Sequence, residues 1–132
     1  MAARVLDVRP THLEILRTLL RLHLPNAEVW AFGSRTDGTA YDGSDLDLVA
    51  RHPGDLSVKQ PSAFWHLKDA LTESRLPFLV DIHDWARIPE SFQRGIERGH
   101  VVIQAALAER DARPKDERLS DGPKEATDSV RP

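Results

Sequence analysis

The sequence predicts a layered α/β or α+β domain. Three observations carry this. Short runs rich in β-branched and aromatic residues alternate with longer runs whose leucines recur at helical spacing. Prolines and glycines punctuate most of the boundaries between them. The longest apolar stretch, Leu13 to Leu24, is broken by Glu14, Arg17, Arg21 and His23, so it does not read as a bilayer span.

The first element is a helix. Thr11 reads as its N-cap, with Pro10 before it and Glu14 completing a capping box. Leu13, Leu16, Leu20 and Leu24 lie on one stripe, and Pro25-Asn26 ends the run. Glu28 to Phe32 is a β-type run closed by Gly33. A loop from Ser34 to Ser44 follows, and then a second strand from Asp45 to Arg51. Alternation along that strand puts Asp45, Asp47 and Val49 on one face, with Leu46 and Leu48 on the other. Pro61 opens a second helix with Phe64, Leu67 and Leu71 on its stripe. Pro77 precedes a third strand, Phe78 to His83. Pro89 opens a third helix carrying Phe92 and Ile96 and closed by Gly99. Val101-Val102-Ile103 is either a short strand or a buried segment; periodicity does not separate the two.

The chain has 132 residues and a mass of 14.8 kDa, a length suited to one domain. The last 24 residues differ from the rest: residues 109–132 hold seven acids, six Lys/Arg and three prolines. Their few apolar side chains cannot offset the entropy of ordering, so the expectation is a working domain over 1–108 and a disordered charged tail over 109–132. A net charge of −3 lacks the basic excess of a non-specific nucleic-acid binder, so no direct DNA binding is expected. The N-terminal MAARVLDVRP carries Asp7 and no continuous apolar run, which argues against a secretory signal. There is no cysteine, which excludes disulfides and thiolate chemistry and suits a reducing, cytoplasmic setting.

The chemistry concentrates in Phe32-Gly33-Ser34-Arg35-Thr36-Asp37-Gly38 and in Asp45-Leu46-Asp47-Leu48. Asp45 and Asp47 are i and i+2 on one strand, so both carboxylates leave the same face, with backbones roughly 6–7 Å apart. Two such groups can share a pair of Mg²⁺ ions about 3.5–4 Å apart, and hard carboxylate oxygens suit that metal. Gly33 permits a backbone turn closed to other residues, and the amides after it can face an anion, with the Ser34 hydroxyl as a further donor. Asp81 sits in the otherwise apolar Phe78-Leu79-Val80-Asp81-Ile82-His83, where a charge needs a partner or a metal. Asp84 falls at the strand end, where capping a turn would account for it.

Each of these features has an ordinary reading on its own. Acid pairs decorate solvated strands, Gly-Ser is a common turn, and Asp81 is open to pairing with an arginine. The ordered combination of strand, Gly-Ser, loop, Asp-x-Asp and a later strand aspartate is far more specific than its parts. The six histidines form no ligand-spaced pair, which argues against zinc. His83 shares a strand face with Asp81 and is either a neighbour that supports it or a plain surface residue. Trp30, Phe64 and Trp65 read as core, and Trp85 is either core or an exposed contact. No G-x-S-x-G pattern surrounds Ser34, so it is a poor hydrolase nucleophile.

Gly33-Ser34, ten residues, then Asp45-Leu46-Asp47-Leu48, with Asp81 further on, resembles the minimal nucleotidyltransferases of the DNA polymerase β superfamily. The stretches Glu28 to Arg35 and Val80 to Ala86, with Pro89 to Phe92 and Val101 to Gln104, are similar to one branch of it. In that branch a small catalytic subunit is encoded beside a four-helix HEPN-like partner, described as a substrate-binding subunit or as a toxin. The resemblance spans Leu13 to Gln104 and implies a polymerase-β-like fold, a small mixed sheet packed against helices. It further implies that Gly33 and Ser34 hold the triphosphate, with Arg35 as a phosphate contact. Asp45 and Asp47 would bind two Mg²⁺ ions. Asp81 would bind the catalytic metal and help activate an acceptor hydroxyl.

The implied reaction moves a nucleoside monophosphate, AMP from ATP, onto a hydroxyl. In the antitoxin reading that hydroxyl is a tyrosine of the HEPN toxin. The alternatives are a small-molecule nucleotidyltransferase working with a separate substrate-binding subunit, and a non-catalytic antitoxin that acts by binding alone. One departure stands out: many relatives carry a small and then a basic residue before the second glycine, where this chain has Thr36-Asp37. An acid there would weaken triphosphate binding.

Overall fold

The computed structural model describes residues 4–106. The expected tail over 109–132 lies outside the described residues. The elements in order are α1 (Pro10–His23), β1 (Glu28–Phe32), the short α2 (Ser34–Asp37), β2 (Leu46–Arg51), α3 (Ala63–Thr72), β3 (Val80–Asp84), a 3-10 turn (Trp85–Arg87), α4 (Glu90–Arg98) and β4 (Val101–Gln104). The expected mixed α/β architecture is what forms.

The four strands make one sheet in the order β3-β2-β1-β4. β1 pairs antiparallel with β2 and with β4, and β2 pairs parallel with β3. The parallel pairing requires a crossover, and α3 supplies it. β2 is central and buried on both faces. Leu46, Leu48 and Ala50 join Leu16 and Leu20 of α1 and Phe64, Leu67 and Leu71 of α3 in the larger core. On the opposite face Val49 packs with Trp30, Trp85 and Ile96 of α4. Arg51 completes this second layer: its guanidinium lies 3.8 Å from the Trp30 ring centre and pairs at 3.1 Å with Glu28, its register partner on β1. The Gln104 amide donates to the carbonyls of Leu24 and Ala27, both at 2.8 Å, and so ties the end of α1 to β4.

Several local expectations are corrected. α1 starts at Pro10 without a side-chain cap, and Thr11 is already helical. Proline presets the first helical φ and holds Arg9 in extended backbone, which moves the start ahead of the hydroxyl. β2 begins at Leu46, one residue after Asp45, and β3 covers Val80–Asp84 in place of Phe78 to His83. Val101–Gln104 resolves as a strand. Gly99 ends α4 in extended backbone, φ −163°. Trp65 is 51% exposed, because its neighbours Phe64 and Leu67 take the buried stripe of α3. Trp85 is core.

Candidate active site

The site is built where β1 ends. Gly33 takes φ +84° and ψ −158°, a region open only to glycine, and passes the chain into α2. The Gly33 carbonyl accepts from the Thr36 amide at 2.9 Å and from the Thr36 hydroxyl at 2.7 Å, closing the turn. A Cβ placed on Gly33 would stand 2.5 Å from Asp47 Oδ2, so the turn runs directly beneath that carboxylate.

Register assembles the rest. Asp47 lies opposite Phe32 on β1 and beside Asp81 on β3. Asp81 is not immersed in apolar surroundings, as its strand suggested; its side chain is 54% exposed on the edge strand. Asp45 precedes β2 and is close enough to act electrostatically on Asp47. The Asp47 carboxyl is pushed above its ordinary value, first by burial and then by the charges of Asp81 and Asp45, while His83 opposes the shift. His83 Nε2 stands 3.3 Å from Asp81 Oδ2.

Among the described residues, no three acids or histidines are already gathered tightly enough to grip a metal ion. The donor chemistry nevertheless fits a hard divalent cation. Three carboxylates crowd one patch, and their mutual repulsion is the cost that such a cation relieves.

Arg35 is placed differently from the expected phosphate contact. It is buried, with Nε donating to the Ser44 carbonyl at 2.9 Å, Nη1 to the Asp7 carbonyl at 2.9 Å and Nη2 to the Asp42 carbonyl at 3.1 Å. Its plane lies 4.2 Å over the Phe78 ring. A guanidinium engaged in this way pins the loop between Gly33 and β2. Asp37 turns its carboxylate onto the Thr39 amide and hydroxyl, which hold its pKa below the ordinary value. Asp84 is buried and accepts from the Gln60 amide at 2.8 Å and the Ala86 amide at 3.2 Å, as a capping residue does.

One component was invisible in the sequence. The rings of Phe32, His83 and Phe92 meet pairwise, with centroids 5.5–6.1 Å apart; Phe32 lies opposite Asp47 in register, and His83 lies two residues past Asp81 on β3. They come from β1, β3 and α4, and no local pattern links them.

A glycine turn beneath a half-buried aspartate, with a second aspartate in register beside it on a mixed sheet, is the arrangement expected from the resemblance to nucleotidyltransferases. The chain belongs to the nucleotidyltransferase domain family, whose sequence profile matches residues 11–110. It is 42% identical over 101 residues to the probable protein adenylyltransferase MntA of Haemophilus influenzae, covering 75% of this chain and 84% of that protein. Two solved structures share the fold. One is a toxin-antitoxin crystal structure with AMP-PNP, at TM-score 0.58 and 20% identity, covering 75% of this chain and 77% of that one. The other is a toxin-antitoxin MntA-HepT structure, at TM-score 0.54 and 16% identity, covering 78% of each chain.

Proposed function

We propose that this nucleotidyltransferase moves AMP from ATP to the hydroxyl of a tyrosine on a HEPN-like four-helix toxin, and so acts as an antitoxin. The observation that carries the reading is the stacking of the Gly33 turn under Asp47 with Asp81 alongside. That arrangement sets an anion-receptive backbone beside carboxylates that suit Mg²⁺. The adenylyltransferase relative supports the choice of AMP. The toxin-antitoxin assemblies that share the fold, one of them with AMP-PNP, support the partner and the nucleotide.

In this mechanism Gly33 and Ser34 receive the triphosphate. Asp45, Asp47 and Asp81 would hold two Mg²⁺ ions, which neutralise phosphate charge when bound. Asp81 takes the proton of the acceptor hydroxyl. The hydroxyl oxygen forms the new bond to the α-phosphorus, the bond from that phosphorus to the β-phosphate bridging oxygen breaks, and pyrophosphate leaves. The Arg35 guanidinium, engaged with three backbone carbonyls, holds the loop that presents Ser34.

The test incubates the chain with its HEPN-like partner and α-labelled ATP. Label should pass to the partner with wild type and not with Asp81→Asn. Neutralisation of the toxin without label transfer, and unchanged in the mutant, would overturn the reading in favour of binding alone. Asp81-dependent pyrophosphate release with a small hydroxyl acceptor and no labelled partner would favour a small-molecule enzyme.

A further inference from the structure

We infer that His83 is the positioning residue for the Asp81 carboxylate, holding it toward the acceptor hydroxyl. The inference rests on the proposed role of Asp81 and adds the group that orients it. Asp81 lies on an edge strand with its side chain half exposed, a setting in which little packing selects among the carboxylate's rotamers. Among the described residues the one side-chain nitrogen within 4 Å of its carboxylate that could pair with it is His83 Nε2, at 3.3 Å. The two residues are i and i+2 on β3, so both side chains leave the same face.

The imidazole is the better anchored of the two. Its side chain is 29% exposed and packs against a pair of phenyl rings. Phe92 meets it edge-on, at 5.5 Å and 73°, and Phe32 meets it tilted, at 6.1 Å and 42°. Phe32 and Phe92 also meet each other edge-on at 5.6 Å, so the three rings close on themselves. A ring packed on two adjoining phenyl rings lends its orientation to the carboxylate beside it. Misplacing a reacting group by about 1 Å can cost on the order of 100-fold in rate, so that orientation has kinetic weight.

The test compares His83→Phe with His83→Gln. Phenylalanine keeps a ring against Phe32 and Phe92 and loses the nitrogen; glutamine keeps an N–H donor and loses the ring. Label transfer from α-labelled ATP to the HEPN-like partner should fall about 10- to 100-fold in kcat for His83→Phe. KM for ATP and Tm should stay near wild type, and His83→Gln should recover part of the lost kcat. Calorimetry with a non-hydrolysable ATP analogue should give wild-type affinity for both variants. A His83→Phe protein that labels the partner as fast as wild type overturns the inference and leaves the proposed transfer standing. So does a loss confined to KM, or a loss that tracks a fallen Tm in both variants. Absence of label with wild type itself sinks the proposed transfer first, and the positioning role with it.

Discussion

Asp47 Oδ2 lies over Gly33 so closely that a single added carbon would stand 2.5 Å away. The absence of a side chain at residue 33 is therefore what lets the carboxylate sit on the turn. The same glycine also needs a backbone conformation that costs other residues about 1–3 kcal/mol.

Gly33→Ala should accordingly lose stability twice, through backbone strain and through displacement of Asp47. A Tm fall of roughly 10 °C or more is expected, together with loss of nucleotide binding in calorimetry. Gly38→Ala is the control. Gly38 also has φ +84°, but no heavy atom lies within 4 Å of the added carbon. Its cost should stay near the 1–2 kcal/mol of left-handed backbone alone. Equal effects at the two glycines would contradict the close approach at Gly33.

The raised pKa of Asp47 gives a pH dependence with a definite sign. Its folded value exceeds its unfolded value, so ionisation disfavours the fold. Well below the ordinary value of 3.8 the carboxyl is neutral in both states and there is no penalty. As pH rises past that value the unfolded chain releases the proton first, and stability is lost until the folded carboxyl has also ionised. In EDTA, Asp47→Asn should therefore be more stable than wild type at neutral pH, and the advantage should vanish on acidification. Melting curves from about pH 3 to about pH 8 decide this; a mutant less stable than wild type at pH 7 would refute it.

Arg35→Met should behave as a loss of structure. Three carbonyls would lose a charged donor in a buried setting, for a cost of about 2–4 kcal/mol. Chemical denaturation should show that loss without any nucleotide present. An unchanged midpoint combined with weakened ATP-analogue binding would restore the phosphate-contact role.

Asp84 and Asp81 should separate cleanly. Asp84→Ala leaves the Gln60 and Ala86 amides without their acceptor and should cost about 2 kcal/mol or more. Asp81→Asn, at a half-exposed edge position, should stay within about 0.5 kcal/mol of wild type. Urea titrations of the two variants measure the contrast, and a severe loss at Asp81 would count against reading it as a residue kept for chemistry.

Much of the fold was legible because it is written in local period and punctuation. Leu16, Leu20 and Leu24 announced α1, and Phe64, Leu67 and Leu71 announced the crossover helix; all six are buried. The carboxylate face of β2 followed from strict alternation, with Leu46 and Leu48 buried on the other side. What stayed hidden depends on contacts distant in sequence. Arg35 looked like a phosphate ligand because its partners Asp7, Asp42 and Ser44 act through carbonyls, which carry no side-chain signature. The exposure of Asp81 follows from β3 lying at the edge of the sheet, a matter of strand order. Thr11 failed as a cap because Pro10 outcompeted it one position earlier, a conflict between two valid local rules.

The parallel pairing of β2 with β3 ties the site to the timetable of folding. Gly33 and Asp47 meet across an antiparallel pair joined by a local loop. Asp81 joins them only after the chain has travelled through α3 and returned alongside β2, a closure with a larger entropic cost and a slower approach. A molecule in which only this antiparallel pair had formed would hold the turn with Asp45 and Asp47 and would lack Asp81. The three acids come together only in a chain whose long-range topology is finished, so whatever chemistry they perform together requires native assembly.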